Sequence, residues 1–529
     1  MAEKIRDWNR IKNSELVKKS KRGFFQVIFG RSFIIGLLFY FQLLFMLWLG
    51  SLVTSYLYLT TGAVFVVSLL VIIEIINSNE NIGFSLTWAI IIGLVPTFGI
   101  ALYAMMHLDY NKRIEKRYIS RIVTESMDLV SAQKPVMERL QKENPHMYGI
   151  SEYTRKNGGY CAYTNTAVEY YHIGEDMIDA LEEELKTAEK YIFLEYFIIQ
   201  KGEVWERILK VLIEKAQSGV EVRIIYDGTL DVSALPHSYP QQLQAVGIKC
   251  KMFLPQPVLF SFSYNNRDHR KIAVIDGRCA FTGGVNLADE YANISSRFGH
   301  WKDVGVKLEG DAVYGFILMF LQMWNSMEAE IVYQPYLQLP KVNHPEERGF
   351  VIPYGDSPLD NEPVGRNIYL DIINSAIDYV YIMSPYLILD PETESALKFA
   401  CARGVDVRII LPHVPDKKYA FALAVAHYSL LTEAGVKIYE YTPGFVHAKL
   451  FVSDDRKCAV GTINMDYRSL YHHFECGIYA EDIPAVADMK EDFLKTQENC
   501  QFVSYQMANK IHPVYWGFGR ILRVIAPLF

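Results

Sequence analysis

NNRDHRKIAVIDGRCAFTGGVNLADEY occupies residues 265–291, and FVHAKLFVSDDRKCAVGTINMDY returns to the same pattern at 445–467. Each stretch carries His-x-Lys, an aspartate five residues after the lysine, and then Gly-(Gly/Thr)-x-Asn at the same offset. The positions are His269, Lys271, Asp276, Gly283 and Asn286 in the first copy, and His447, Lys449, Asp454, Gly461 and Asn464 in the second. In extended chain, residues two apart share a face, so each histidine and its lysine are expected side by side. The apolar runs KIAVI and LFVS that follow read as buried strands.

Agreement continues outward from these motifs. Upstream of the first stand LEYFII (194–199), GVEVRIIYDG (219–228) and GIKCKMF (247–253). Upstream of the second stand SPYLIL (384–389), GVDVRIILPH (404–413) and GVKIYEY (435–441). Short β-rich runs alternate with segments of helical spacing, such as Val204, Ile208, Val211 and Leu212. Strand–helix–strand alternation predicts an α/β layer fold, and two copies predict two such domains about a pseudo-twofold axis with the site at their seam. The halves differ by ten residues: Gly247 precedes His269 by 22 positions, Gly435 precedes His447 by 12. The extra residues lie within FLPQPVLFSFSYNNRD, read either as a loop tucked under the domain or as a membrane-dipping rim.

The N-terminal part is of another kind. Residues 1–31 carry nine Lys/Arg against three Asp/Glu, while the remaining 498 residues sum to −13. So acidic a body is a poor match for a nucleic-acid backbone, and the basic arm suits an anionic membrane surface. No charged residue occurs from Ser32 to Ile73, 42 positions, about twice what one helix needs to cross a ~30 Å hydrocarbon core. Two spans are expected, about 33–50 and 56–76, and a third apolar stretch runs over 84–106, broken by Pro96. A cleaved signal peptide is disfavoured by the apolar length. Basic residues flank both ends of this region, so the charge rule leaves orientation and the number of full spans open. The expected organisation is a basic segment 1–31, a transmembrane region 32–108, a linker 109–164, α/β domains 165–340 and 341–510, and a C-terminal amphipathic segment 511–529. That last segment (Trp516, Phe518, Ile521, Leu522, Ile525, with Arg520 and Arg523) reads equally as an interfacial helix or a docked one. Seven scattered cysteines without a C-x-x-C pair indicate neither zinc knuckle nor disulfide framework.

Chemically, an imidazole beside a fixed ammonium is suited to attack on phosphorus, with the lysine neutralising phosphoryl oxygens. The glycines admit close backbone approach and the asparagine amides donate to further phosphoryl oxygens. Two copies supply one histidine as nucleophile and one as acid, then base.

The paired motifs resemble the two HKD motifs of the phospholipase D superfamily. Within it, residues 265–291, HWKDVGVKLEG (300–310), FLQMWN (320–325) and NMDYRSLYHHFECGIY (464–479) are similar to bacterial cardiolipin synthases. The resemblance covers about 80–510 and departs at the extra apolar stretch 33–50. It implies His269 and His447 as the catalytic pair, with His269 favoured over His447 as the nucleophile, and Lys271, Lys449, Asn286 and Asn464 as phosphate ligands. It further implies that an acid downstream orients each histidine: Asp303, 34 residues after His269, and Glu475, 28 after His447. The motif aspartates Asp276 and Asp454 are implied to support each catalytic motif structurally, by salt-bridging or capping within their own halves. Glu195, at a strand end, is read as a polar rim residue. The implied reaction converts two phosphatidylglycerol molecules into cardiolipin and glycerol through a phosphatidyl-histidine, in a bacterial cell membrane, without metal or other cofactor. A hydrolase or another phosphatidyltransferase of the superfamily is the alternative. A catalytically dead membrane scaffold conflicts with the intact histidines and lysines.

Overall fold

A computed structural model of the chain describes residues 57–78, 81–107, 121–126, 134–229, 235–253, 266–328, 330–340, 348–360, 362–510 and 513–528, with isolated positions at 40–48 and 129. The basic arm, most of the stretch 33–50 and the extra loop of the first half lie outside the described residues. Contacts divide the chain into two units, one holding the N-terminal helices and the extreme C-terminus, the other residues 116–255 and 265–523.

The smaller unit contains helices Leu57–Ile76, Ile82–Leu94 and Pro96–His107. Asn81 starts the second by accepting the Gly83 N–H at 2.8 Å. Proline cannot supply the amide that continues a helix, so the third apolar stretch is two helices meeting at Val95–Pro96. Ile75, Trp88 and Ile92 form the core of this unit, and Trp88 meets Tyr103 edge to face at 5.4 Å. Around them Phe65, Leu70, Ile76, Leu86 and Leu94 are exposed. Side chains of the first helix are described only from Thr61, and among the described residues no helix is long and apolar enough to cross a membrane. The expected multi-pass region is therefore not established by the fold.

Among the described residues the larger unit contains eighteen strands. The first half supplies β1 Thr166–Tyr171, β2 Tyr191–Tyr196, β3 Glu221–Asp227, β4 Lys249–Phe253, β5 Arg267–Asp268, β6 Lys271–Ile275, β7 Cys279–Gly283, β8 His300–Lys302 and β9 Gly305–Gly310. The second supplies β10 Phe350–Asp356, β11 Tyr379–Met383, β12 Asp406–Pro412, β13 Lys437–Tyr441, β14 Gly444–Val446, β15 Leu450–Ser453, β16 Lys457–Gly461, β17 His473–Glu481 and β18 Cys500–Val503. The first sheet runs β1-β9-β7-β6-β2-β3-β4, and the second runs β10-β17-β16-β15-β11-β12-β13 with β18 added at the edge. Position by position these are one order used twice. In each, three strands are parallel, and helices make the crossovers. Val204, Ile208, Val211 and Leu212 do face inward from the helix Glu203–Gln217, as their spacing predicts.

Helix Val313–Asn325 lies on the strands of both halves. It is apolar except for Gln322 and Asn325 and buried except at Tyr314, which is the pattern of a helix with almost no solvent face. Phe320 stacks on Phe193 of β2 at 4.4 Å, and a Cβ at Gly315 would lie 2.8 Å from Pro353 of β10, so glycine permits the approach.

Two short strands cross between the halves. β5 pairs in parallel with the start of β17, Arg267 opposite His473 and Asp268 opposite Phe474. β14 pairs in parallel with β8, Gly444 opposite His300 and Val446 opposite Lys302. Each half thus lends the residues just before its His-x-Lys to the other half.

The C-terminal helix Pro513–Ile525 is docked where it is described within this unit. Leu522 is buried, Arg523 binds Glu394 at 2.6 Å, and a Cβ on Gly519 would lie 2.3 Å from the Ala422 carbonyl oxygen. Phe518 and Ile521 nevertheless remain exposed. The seven cysteines are free thiols, five of them buried.

Candidate active site

The exchanged strands deliver the histidines. His269 follows β5 directly, and its N–H donates to the Phe474 carbonyl at 2.9 Å. His447 follows β14, and its N–H donates to the Lys302 carbonyl at 2.7 Å. The next residues along those partner strands are Glu475 and Asp303. Consequently His269 Nδ1 meets Glu475 Oε2 at 2.9 Å, and His447 Nδ1 meets Asp303 Oδ2 at 2.6 Å. The expectation that each histidine is oriented by the acid downstream in its own half is wrong. The acids are the expected residues, but the pairing is crossed, because parallel pairing over the seam fixes the register of histidine and acid from opposite halves.

Lysine and histidine of each motif lie together as expected. Lys271 Nζ donates to the His269 carbonyl at 2.7 Å, and Lys449 Nζ lies 2.9 Å from His447 Nδ1. Both copies share one electrostatic field, since the Lys271 ammonium acts on His447 and on Lys449. Burial pushes the His269 imidazole down to about 3, against the pull of Glu475. Burial, assisted by Lys449, pushes His447 down to about 4. Burial also lowers Lys271 to about 8 and Lys449 to about 7. Burial alone would raise both acids, but the histidines beside them hold Asp303 and Glu475 below the usual carboxylate range. The resting site therefore pairs carboxylates with neutral imidazoles, and an incoming phosphodiester anion would favour protonation of a ring.

The glycine pair has a reason that sequence spacing did not reveal. A Cβ at Gly284 would lie 1.9 Å from Asp303 Oδ1, so the close approach is made by the acid that holds His447. At the corresponding place in the second half, the Thr462 hydroxyl donates to Glu475 Oε2. Asn286 is braced, accepting the Ile198 N–H at 3.0 Å and donating to the Tyr291 hydroxyl at 2.8 Å. Asn464 is buried and its Oδ1 has no hydrogen-bond partner among the described residues.

Asp276 and Asp454 face backbone. Asp276 accepts the N–H groups of Glu189, Lys190 and Tyr191 at 2.7–2.8 Å, and Asp454 those of Ile377, Asp378 and Tyr379 at 2.8–2.9 Å. Each sits at φ near +55° in the β6–β7 or β15–β16 hairpin turn, and aspartate tolerates that left-handed conformation. Of the two roles expected for them, capping is the one the contacts show.

Several neighbours carry no motif signal. Phe197 lies edge-on to His269 at 4.8 Å, whereas Tyr291 and Trp301 flank His447 at 5.4 and 5.3 Å. A third imidazole, His473, lies 5.3 Å from His269. The sequence reading of Glu195 as a rim residue is also wrong: it is fully buried, 3.8 Å from Arg270. Burial and the adjacent Asp268 raise the Glu195 carboxyl well above its usual range, and burial carries Asp268 to about 7. Strand alternation would have flagged Glu195 only if β2 had one wet face, and both its faces are covered.

Residues 181–296 and 369–497 match the family model described as the cardiolipin synthase, phospholipase D-like domain. A protein of Halalkalibacterium halodurans named cardiolipin synthase is 30% identical over 91% of this chain and 95% of its own length. One of Geobacillus kaustophilus with the same name is 32% identical over 87% and 91%. An uncharacterized protein of Streptococcus mutans is 45% identical over 86% of this chain and 99% of its own. Among solved structures, phosphatidylserine synthase of Haemophilus influenzae aligns with a TM-score of 0.53 at 14% identity, covering 68% of this chain and 95% of that one, a likeness of fold.

Proposed function

Since this chain belongs to the cardiolipin synthase family of phospholipase D-like phosphatidyltransferases, we propose that it joins two phosphatidylglycerol molecules into cardiolipin and glycerol by double displacement at the crossed histidine pair. The neutral His269 ring attacks phosphorus of the first lipid, forming a P–N bond as the P–O bond to glycerol breaks. His447 gives its proton to the departing glycerol oxygen. The headgroup hydroxyl of the second lipid then returns a proton to His447 and attacks phosphorus, and the P–N bond breaks. Lys271 and Lys449, with Asn286 and Asn464, hold the non-bridging oxygens in both steps. Glu475 and Asp303 keep each ring in one tautomer and offset the positive charge that it acquires.

The observation that carries this reading is the reciprocal pairing His269–Glu475 and His447–Asp303, which puts two preset imidazoles and two ammonium groups in one buried field. Assignment of His269 as the attacking group follows the resemblance of the first motif. Asp276 and Asp454 are assigned the architecture of the hairpins that carry these groups. The exposed apolar side chains of the N-terminal helices and the basic arm support anchoring in a bacterial cell membrane by several spans, with lipid as the partner and no nucleic acid. Anchoring raises the local concentration of the lipid acceptor over water.

Purified full-length protein, given vesicles of phosphatidylglycerol labelled in the headgroup glycerol, is expected to release one labelled glycerol per cardiolipin formed. Phosphatidic acid as the sole lipid product would replace this reading with hydrolysis. Cardiolipin formation surviving His269→Ala would remove His269 from the reaction.

A further inference from the structure

His473 has no task in the transfer just described, yet it faces the carboxylate on which His269 depends. Glu475 Oε2 is taken by His269 and by the Thr462 hydroxyl. Its other oxygen, Oε1, points at His473 Nδ1 from 3.5 Å, and both atoms are buried without a hydrogen-bond partner. Glu475 is fully buried and His473 is 9% exposed. One ligand atom each from His269, His473 and Glu475 all lie within 4.8 Å of one another. The flank of His447 is different: there Tyr291, Trp301 and Phe445 surround the ring.

Two imidazoles and one carboxylate, with a fourth position left open, form a donor set that zinc accepts. Nitrogen and oxygen at ~2.0–2.1 Å from a tetrahedral ion stand about 3.3 Å apart, so the cluster would have to contract by roughly 1.5 Å at its widest. Side-chain rotation of His473 about its first two torsions supplies movement of that size, because its Nδ1 is not held by a hydrogen bond. The Lys271 and Lys449 ammonium groups oppose a dication, and Asp303 and Glu475 oppose the lysines. Hard ions such as Mg²⁺ prefer all-oxygen shells and retain their waters, so the site discriminates against them.

We propose that His269, His473 and Glu475 form an inhibitory Zn²⁺ site, in which the ion occupies the imidazole that attacks phosphorus and takes the carboxylate that orients it. The inhibition rests on the reading of His269 as the reacting group, but binding does not. The test uses full-length protein stripped of metal, with phosphatidylglycerol vesicles and either ZnCl₂ or MgCl₂. Wild type is expected to bind one zinc with a nitrogen/oxygen first shell and histidine outer-shell scattering in zinc X-ray absorption. Its cardiolipin synthesis is expected to be inhibited by zinc and not by a thousandfold excess of magnesium. His473→Asn is expected to weaken both zinc uptake and inhibition by about tenfold or more, the usual effect of losing one ligand interaction. His473→Gln serves if the asparagine variant does not fold.

Unchanged zinc affinity in a folded His473 variant, or a sulfur-containing shell, overturns the proposal. A stripped protein that makes cardiolipin but takes up no zinc sinks this proposal and leaves the proposed function standing. Zinc uptake dependent on His473 in a protein that makes no cardiolipin does the opposite.

Discussion

Glu475→Gln isolates the effect of the crossed pairing. The substitution keeps shape and a hydrogen-bond acceptor, and removes one negative charge 2.9 Å from His269 Nδ1 at a fully buried position. When His269 bonds to phosphorus its ring becomes cationic. Loss of a charge about 4 Å from the ring centre at an effective dielectric near 20 is worth about 4 kcal/mol by Coulomb's law. Comparison of charged with neutral hydrogen bonds gives a lower figure, about 1–2 kcal/mol. The two bracket a barrier increase of about 1–4 kcal/mol, or a fall of roughly 5- to 1000-fold in kcat. Asp303→Asn should cost a similar amount through His447, where the contact is 2.6 Å. The assay is initial-rate cardiolipin synthesis, paired with peptide mass spectrometry of histidine carbethoxylation in each variant. Glu475→Gln should change the modification rate of His269, from the other half of the chain, and Asp303→Asn that of His447. A fall of less than about threefold in kcat, or the reverse assignment of modified histidines, would refute the crossed arrangement.

Three other outcomes follow from the same geometry. Gly284→Ala should cost at least about 100-fold in kcat with little loss of folding, because its Cβ would displace the Asp303 carboxylate, a charged contact of about 3 kcal/mol; near-normal turnover would contradict the close approach. With Lys449 at about 7 and Lys271 at about 8, protonated ammonium is lost as pH rises, so kcat/KM should fall at least about tenfold between about pH 7 and 9; a flat profile to higher pH would show that the lysines stay charged. Asp276→Ala removes acceptors for three backbone N–H groups and places alanine at a left-handed φ, so thermal denaturation should report a loss of about 2–4 kcal/mol while specific activity at low temperature falls far less than in His269→Ala; equal loss of activity without loss of stability would make the aspartate a chemical group.

Both acids came from the resemblance to the phospholipase D superfamily, whereas the duplicated α/β architecture, the two His-x-Lys sets and their asparagines were legible in the linear chain. Each is a local pattern or a repeat of one, and strand alternation and motif spacing are set by near neighbours. Of the helix Val313–Asn325 only FLQMWN was read from the chain, and its place on both halves is decided by packing. What linear order could not carry is which half serves which. Asp303 and Glu475 stand at plausible distances from their own histidines in sequence, and only the parallel pairing of β5 with β17 and of β14 with β8 exchanges them. The same holds for Glu195 and His473. One is buried because its strand is covered on both faces, and the other matters because β17 starts beside β5. Backbone pairing between segments some 140 to 210 residues apart costs loop-closure entropy that no local preference reports. The sequence alone therefore determined the inventory of reacting groups, and tertiary structure decided their partners.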